Sequence, residues 1–482
     1  MKHQPHAVEQ ALFNRRRWLQ FSGSTLAGAL GVSGLSALNQ TPANAQSGYR
    51  ALVCVFLYGG NDGCNTVIPT DTTRYNQYAA VRGAMALPRS SLVNLSGSDH
   101  GLHPSLSALA PAWAAGDLAP VFNVGPLFAP LSKAEYRSLP ASDARIPQSL
   151  FSHSDQQVLW ESASSRVTER TGWGGRAAAT LGTTNPVISV GGNGRFGLSA
   201  LQTPLVLPEP GGTFGLNGLQ NPTWAPEVER RRALEALYAG SDGNAVLNAY
   251  MAQQRDALDM SARLGALVAV RPGDQAGSLL DAAFAPITTD GRVNTPIGRQ
   301  LYQVAKLVQG HVTVQGSRQI FFAQQGGYDT HSGQIAGTSL DGDHFRLLKA
   351  LGDAMACFYN AMRAIGMGDS VTLFTQSDFG RTFKPNNSSG TDHAWGNHQL
   401  VLGGAVNGGT TYGTAPTLVI GGPDDVGQDP WELQGRWIPT TSVDQYAATL
   451  LGWLGASPAQ LDTILPNLRN FGSATNLGFL SA

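Results

Sequence analysis

Residues 51–57 read Ala-Leu-Val-Cys-Val-Phe-Leu, an apolar run that no polar residue interrupts. A strand with one wet face alternates apolar and polar positions, so an unbroken run has to be covered on both faces. Such a strand lies inside a mostly parallel sheet with helices above and below, which confines the chain to layered α/β architectures. Further short apolar runs agree with this. Leu118–Val124, Gln319–Ala323, Ser370–Thr375 and Gln399–Gly404 all read as strands, with Pro120 placed near the start of its run, where a proline is tolerated. Amphipathic stretches between them predict helices over His103–Ala115, Asp155–Ser162, Phe345–Ile365 and Val443–Leu454. In the third of these, Leu348, Leu351, Met355, Phe358 and Met362 share one face. The stretch 225–270 is strongly helical and charged, with Glu227, Glu229 and Arg230 to Arg232. It reads as a helical insertion over the sheet. Its charges suit a solvated face, with a substrate-recognition cap as the alternative.

The N-terminus is a separate unit. Asn14-Arg15-Arg16-Arg17-Trp18-Leu19-Gln20 precedes an uncharged Gly/Ala/Ser-rich stretch from Phe21 to Leu38, followed by Ala43-Asn44-Ala45. A basic region, an apolar region and a small-residue cleavage site describe an export signal, here of the twin-arginine type. The apolar region is too weak and too interrupted by glycine for a stable membrane span. Residues 1–45 are therefore expected to be a signal peptide handled by the twin-arginine translocase, and 46–482 a single α/β domain that is periplasmic or secreted. That route carries folded proteins, which suits a metal site filled before export.

A net charge of -1 and a pI of about 6.8 leave no basic stripe for nucleic acid. Only 13% of residues are charged while glycine totals 58, which points to long irregular connections. Cys54, Cys64 and Cys357 are an odd number for an oxidising compartment. Cys54 and Cys357 read as small core residues, with a Cys54–Cys64 bridge as a further option.

Most of the Asp and His chemistry lies where strands should end. The segments are Gly326-Gly327-Tyr328-Asp329-Thr330-His331, Ser377-Asp378-Phe379-Gly380-Arg381 and Thr391-Asp392-His393-Ala394-Trp395-Gly396-Asn397-His398. Asp62 follows the first strand in Tyr58-Gly59-Gly60-Asn61-Asp62-Gly63, and Ser152-His153 precedes a helix. Ligands in open α/β sheets bind beyond the carboxyl ends of the strands. Carboxylate with imidazole suits a divalent metal, zinc or manganese for preference, with calcium as a further option. Each residue also has a structural alternative. Asp62 can brace its turn, Ser152 can cap a helix, Asp329 and His331 can bond to backbone, Arg381 can pair with a neighbouring carboxylate, and His398 can be a satisfied strand-edge histidine. His100 and His103 read as an exposed loop and a helix start.

The chain resembles the twin-arginine-exported bacterial family catalogued as domain-of-unknown-function family 1501, grouped with the alkaline-phosphatase and sulfatase-like superfamily. The segments that carry the resemblance are Phe56–Gly63, Phe151-Ser152-His153, Gly327–His331, Ser377–Arg381 and Gly390–Asn397. It implies an alkaline-phosphatase-like α/β fold. By position, it implies Asp62, Asp329, His331, Asp378 and His393 as metal ligands and Ser152 as nucleophile. Two features depart from the superfamily's pattern. Asp329 and His331 are two apart rather than four, and Phe379 stands where a dyad histidine follows the aspartate. An alternative matching makes Asp392-His393 the dyad and His398 the final histidine.

Physically, a metal beside Ser152 would activate its hydroxyl. The helix start would receive a phosphate or sulfate, His153 would act as acid, base or donor, and Arg381 would clamp the anion. Asp392 and His398 would support the ligands from behind. The expected function is an exported metal-dependent hydrolase acting on a small anionic sulfate or phosphate ester. The alternative is a non-catalytic exported binding or scaffold protein on a degenerate fold of the same type, which Phe379 would favour.

Overall fold

The structure is a computed structural model that describes residues 48–219, 223–240 and 243–481. The expected signal peptide lies outside the described residues. The first strand, β1 (Arg50–Leu57), is buried from Ala51 onward. Its side chains alternate between two cores. Ala51, Val53, Val55 and Leu57 enter one, while Leu52, Cys54 and Phe56 enter the other. This two-sided burial is why the run carries no polar residue.

The remaining strands of the main sheet are β2 (Leu118–Gly125), β3 (Ile188–Ser189), β4 (Leu205–Val206), β5 (Arg318–Gln325), β6 (Val371–Ser377), β7 (Asn397–Leu402) and β8 (Thr441–Ser442). Their order across the sheet is β8-β2-β7-β6-β1-β5-β3-β4. All neighbours pair in parallel except around β7, which runs antiparallel to both β6 and β2. The mostly parallel central sheet flanked by helices is the expected fold class, with one reversed strand that the apolar runs did not disclose.

Helices cover both faces. The larger ones are α1 (Thr72–Arg82), α2 (His153–Ser162), α3 (Trp173–Leu181), α4 (Ala225–Ala239), α5 (Ala245–Ala269), α6 (Pro296–Gln309), α7 (Asp343–Ala364) and α8 (Val443–Leu454). Helices α6 and α7 pack on one face with the end of α5, while α3 and α8 pack on the other. The insertion is the helical pair α4 and α5. No residue of α4 is buried, whereas α5 buries Leu258, Ser261, Leu264, Leu267 and Val268 toward its end. The stretch expected as one helix over 103–115 is a 3-10 turn, Pro104–Leu109, running into a short helix, Ala110–Ala114. His100, expected in an exposed loop, is buried, whereas His103 stands at a helix start as expected, buried as the N-cap of the 3-10 turn with its Nδ1 accepting from Ser105 N at 3.1 Å. All three cysteines are free and buried.

Register decides what the sheet edge can hold. Leu57 pairs with Gln325 on one side and with Ser377 on the other, so β1, β5 and β6 end side by side. Their following loops emerge together. Strand β7 is reversed, so its beginning lies at this same edge and brings Thr391–Gly396 with it. Gly59 permits the crowding, since its φ is +111° and a Cβ there would lie 2.4 Å from Asp329 N.

Candidate metal centre

Four side chains meet at the edge, three from two of these segments and one from the start of α2. His153 begins α2, Asp329 and His331 follow β5, and His393 precedes β7. One donor atom from each lies within 4.8 Å of all the others. Asp329 Oδ1 is 3.1 Å from His153 Nε2, 3.1 Å from His331 Nε2 and 3.5 Å from His393 Nε2. The Nε2 atoms of His331 and His393 are 2.7 Å apart. Donors that share one zinc ion stand roughly 3 Å or a little more from one another. The oxygen–nitrogen separations match that spacing, and the His331–His393 pair would open slightly.

The other nitrogen of each imidazole is engaged. His153 Nδ1 is 2.7 Å from Asp378 Oδ2, His331 Nδ1 is 2.9 Å from Asp392 Oδ1, and His393 Nδ1 is 2.6 Å from the Phe151 carbonyl oxygen. Each of these acceptors takes the Nδ1 proton, which leaves the Nε2 lone pair pointing inward. His153 Nε2 is buried without a hydrogen-bond partner. A buried imidazole nitrogen 3.1 Å from the Asp329 carboxylate is matched either by a proton on the ring or by a cation between the two. The cluster could therefore hold a metal ion.

The electrostatics fit this use. Burial would raise the Asp329 carboxyl, but the Arg381 guanidinium, His153 and His331 hold it down at about 2. It is a carboxylate at any physiological pH. Burial lowers the pKa of His393, assisted by the charges of His153, Arg381 and His331 and opposed by its bond to Phe151. His153 is raised, above all by its hydrogen bond to Asp378, against the effect of burial. Asp392 is pushed up by burial, yet bonds from Asn386 and His331 leave it lowered. The side chains of Asp329 and His331 are 50% and 44% exposed, so solutes reach the cluster from solvent.

Phe379 is buried, and its ring centroid lies 4.7 Å from those of both His153 and His393. The imidazole beside Asp378 is that of His153, which comes from another element. Asp378 itself has no exposed side-chain surface. It accepts from His153, from Gln157 Nε2 at 3.0 Å and from Gly59 N at 3.2 Å, and so it orients a candidate ligand rather than joining the four. Gln157 was not foreseen, although its spacing of four from His153 puts both on one face of α2.

Other expected residues take different places. Asp62 stands outside the cluster. Its carboxylate receives Arg82 Nη1 at 2.8 Å, Arg82 Nη2 at 2.7 Å and Gln334 Nε2 at 2.6 Å, and it caps the short turn at Asn65. These donors occupy the lone pairs a metal would need. Arg381 is buried too. It donates to the carbonyls of Gly60, Thr391, Tyr328 and Gly59 and to Asp329 Oδ1 at 2.6 Å, which ties the loops together and leaves no free edge to clamp an ester. Of the two readings of Arg381, its contacts are those of the carboxylate pair. Ser152 is the N-cap residue of α2, but its hydroxyl makes no cap bond and lies 3.4 Å from Ser154 Oγ. His398 is buried away from the four, accepting from Asn123 N at 3.2 Å, and burial drives its pKa down to about 3. Asp392 stands behind the four, with its Oδ1 bonded to His331 Nδ1.

Phe151 holds φ at +74°, which is strained for a bulky residue. The same backbone turns its carbonyl toward His393, and its ring lies 4.8 Å beneath the Arg436 guanidinium. Arg436 Nε in turn donates to the His393 carbonyl at 2.9 Å.

Among curated proteins, none matches the chain. Two crystal structures of Ps i-CgsB, one in complex with k-i-k-neocarrahexaose, are similar at 10% and 9% identity, each over 88% of this chain and 77% of theirs, with a TM-score of 0.35. A mutant of the alkaline phosphatase PafA is similar at 12% identity over 68% of this chain and 63% of its own, with a TM-score of 0.21. A family profile described as "Protein of unknown function (DUF1501)" matches residues 49–426, well over half of the sequence, and the chain belongs to that family.

Proposed function

We propose that the protein is an exported hydrolase of sulfate or phosphate esters that uses one divalent transition-metal ion. The ion would be held by His153, Asp329, His331 and His393. The observation that carries this reading is the convergence of three imidazole Nε2 atoms on one carboxylate, each ring turned by its own acceptor. Three imidazole donors favour zinc over calcium, which prefers oxygen, and manganese, also oxygen-preferring, is the second choice. A bound ion would act as a Lewis acid toward an ester oxygen and lower the pKa of a neighbouring hydroxyl or water.

The chain's own residues have defined parts in such a reaction. Asp378, Asp392 and the Phe151 carbonyl hold the rings in place. Arg381 neutralises Asp329 and fixes its oxygen. The start of α2 adjoins the cluster and presents unbonded N–H groups and a positive dipole end to an anionic ester. Ser152 is proposed as the nucleophile, since its hydroxyl is not used as a cap and it immediately precedes His153. Phe379 no longer favours a degenerate site, because His153 provides the imidazole. Export by the twin-arginine route is part of this proposal and rests on the motif from Asn14 to Gln20. Among the described residues, no helix is long and apolar enough to cross a membrane.

The test is hydrolysis of aryl sulfate and aryl phosphate by protein purified from its native compartment, with and without a chelator. Activity lost on chelation and restored by zinc or manganese is expected. Ser152→Ala should abolish turnover with little change in metal content or melting temperature. Full activity in Ser152→Ala would remove the serine from the mechanism and leave water as the nucleophile. Metal-replete protein inactive on both ester classes would overturn the hydrolase reading.

A further inference from the structure

Behind the cluster lies a buried polar network that no ligand role explains. Gln334 is 1% exposed and uses both ends of its amide. Its Nε2 donates to Asp62 Oδ2 at 2.6 Å, and its Oε1 accepts from Thr330 Oγ1 at 3.1 Å and from Thr391 Oγ1 at 2.5 Å. Thr330 sits between Asp329 and His331, and Thr391 lies just before Asp392 and His393. One amide oxygen therefore pins together the two loops that carry three of the four candidate ligands. The backbones meet at the same place, with Thr391 N donating to Thr330 O at 3.1 Å.

The polarity of this network is dictated from its far end. An ionised carboxylate can only accept, so Asp62 compels the amide to turn its nitrogen inward and its oxygen toward both threonines. Asp62 is kept ionised by Arg82, whose side chain is entirely buried against it. Burial would raise the Asp62 carboxyl, and the charges of Arg82 and His344 together with the hydrogen bonds from Arg82 and Gln334 outweigh that effect and leave it lowered. The aspartate after the first strand thus already has a resident cation.

We propose that Gln334 is a positioning residue for the metal centre, oriented by the Asp62–Arg82 pair and acting through Thr330 and Thr391 to set the approach of His331 to His393. This inference rests on the reading of the four-residue cluster as a metal site. It assigns Asp62 and Arg82 to orientation of the loops and leaves the chain one ion site at this edge.

The probe is Co²⁺ titrated into the full folded chain, read by its visible absorption and by affinity, with thermal melting of each metal-free protein alongside. Gln334→Leu and Thr391→Val should each weaken Co²⁺ binding by roughly 10–100-fold, the range for residues that orient metal ligands. The double variant should be no weaker than the weaker single one, because both changes break the same link. Folded Gln334→Leu that binds Co²⁺ with the wild-type affinity and spectrum would overturn the inference, and so would losses that simply add. If Gln334→Leu does not fold, Thr391→Val decides alone, since it exchanges a hydroxyl for a methyl, and an unchanged affinity there refutes the link. Wild-type protein that takes up no Co²⁺ would instead refute the metal site itself.

Discussion

The ligand candidates divide by what already holds them. Asp62 and Asp378 are both buried carboxylates at strand ends, yet neither faces the centre of the cluster. Asp62 has a guanidinium on it, and removing the carboxylate would strand that charge in the interior. Asp62→Ala is therefore expected to cost about 3–5 kcal/mol of stability, measured by denaturant unfolding. An unchanged unfolding midpoint would contradict the buried pair. Asp378 has a different consequence, because it receives the His153 proton at 2.7 Å. Asp378→Asn should leave the four donors present while weakening metal affinity by roughly 10–100-fold, as seen in a metal titration. Neither assignment could be read from the residues alone. His153 and Asp378 are 225 positions apart, and Arg82 lies on a helix in which Tyr78 and Arg82 are the only buried residues. A polar-looking helix gives no hint that one arginine points into the core.

The strands and loops explain why the motifs cluster at all. Run by run, the apolar strands were readable from the sequence because β1 and β5 are covered on both faces and keep their middles apolar, while β6 buries Thr372 and Thr375 among its apolar residues. Direction was not readable, since an apolar run looks the same in either orientation. The reversal of β7 is what turns Thr391–Gly396 into part of the site, placing His393 beside the ends of β5 and β6 rather than at the opposite edge. Loop contact then demands small residues. At Gly390 a Cβ would stand 2.3 Å from the His331 carbonyl oxygen, and its φ is not in the left-handed region, so contact alone constrains it. Gly390→Ala should push the two ligand loops apart. The expected result is a loss of metal affinity that exceeds any loss of thermal stability of the metal-free protein. Wild-type affinity in Gly390→Ala would show that the loops tolerate separation. The helices α4 and α5 were recognisable from their charge and periodicity, but α6 was missed, although its buried positions include Ile297, Leu301, Val304, Ala305 and Val308.

Across the molecule, two cores on either side of the sheet bury several ionisable groups, and these tie stability to pH. Asp444, at the start of α8, is pushed up to about 8 by burial, against smaller opposing effects of Asn467 and Arg176. One of its oxygens has no hydrogen-bond partner. Between pH about 4 and 8 the folded state keeps a proton there that the unfolded state releases, so this group's contribution falls as pH rises, at up to about 1.4 kcal/mol per pH unit. Unfolding free energies measured across that window should show the decline, and Asp444→Asn should flatten it. An identical slope in the variant would place the dependence elsewhere. The register of β1, β5, β6 and β7 brings His153, Asp329, His331 and His393 together, and on the proposed reading they hold one ion. The most direct test of that reading is elemental analysis of protein purified from its native compartment, beside the His393→Ala variant prepared identically. About one tightly held zinc or manganese ion per chain is expected in the wild type, with loss of that ion in folded His393→Ala. Wild-type protein without a stoichiometric divalent ion, or a metal content unchanged in the variant, would contradict the reading.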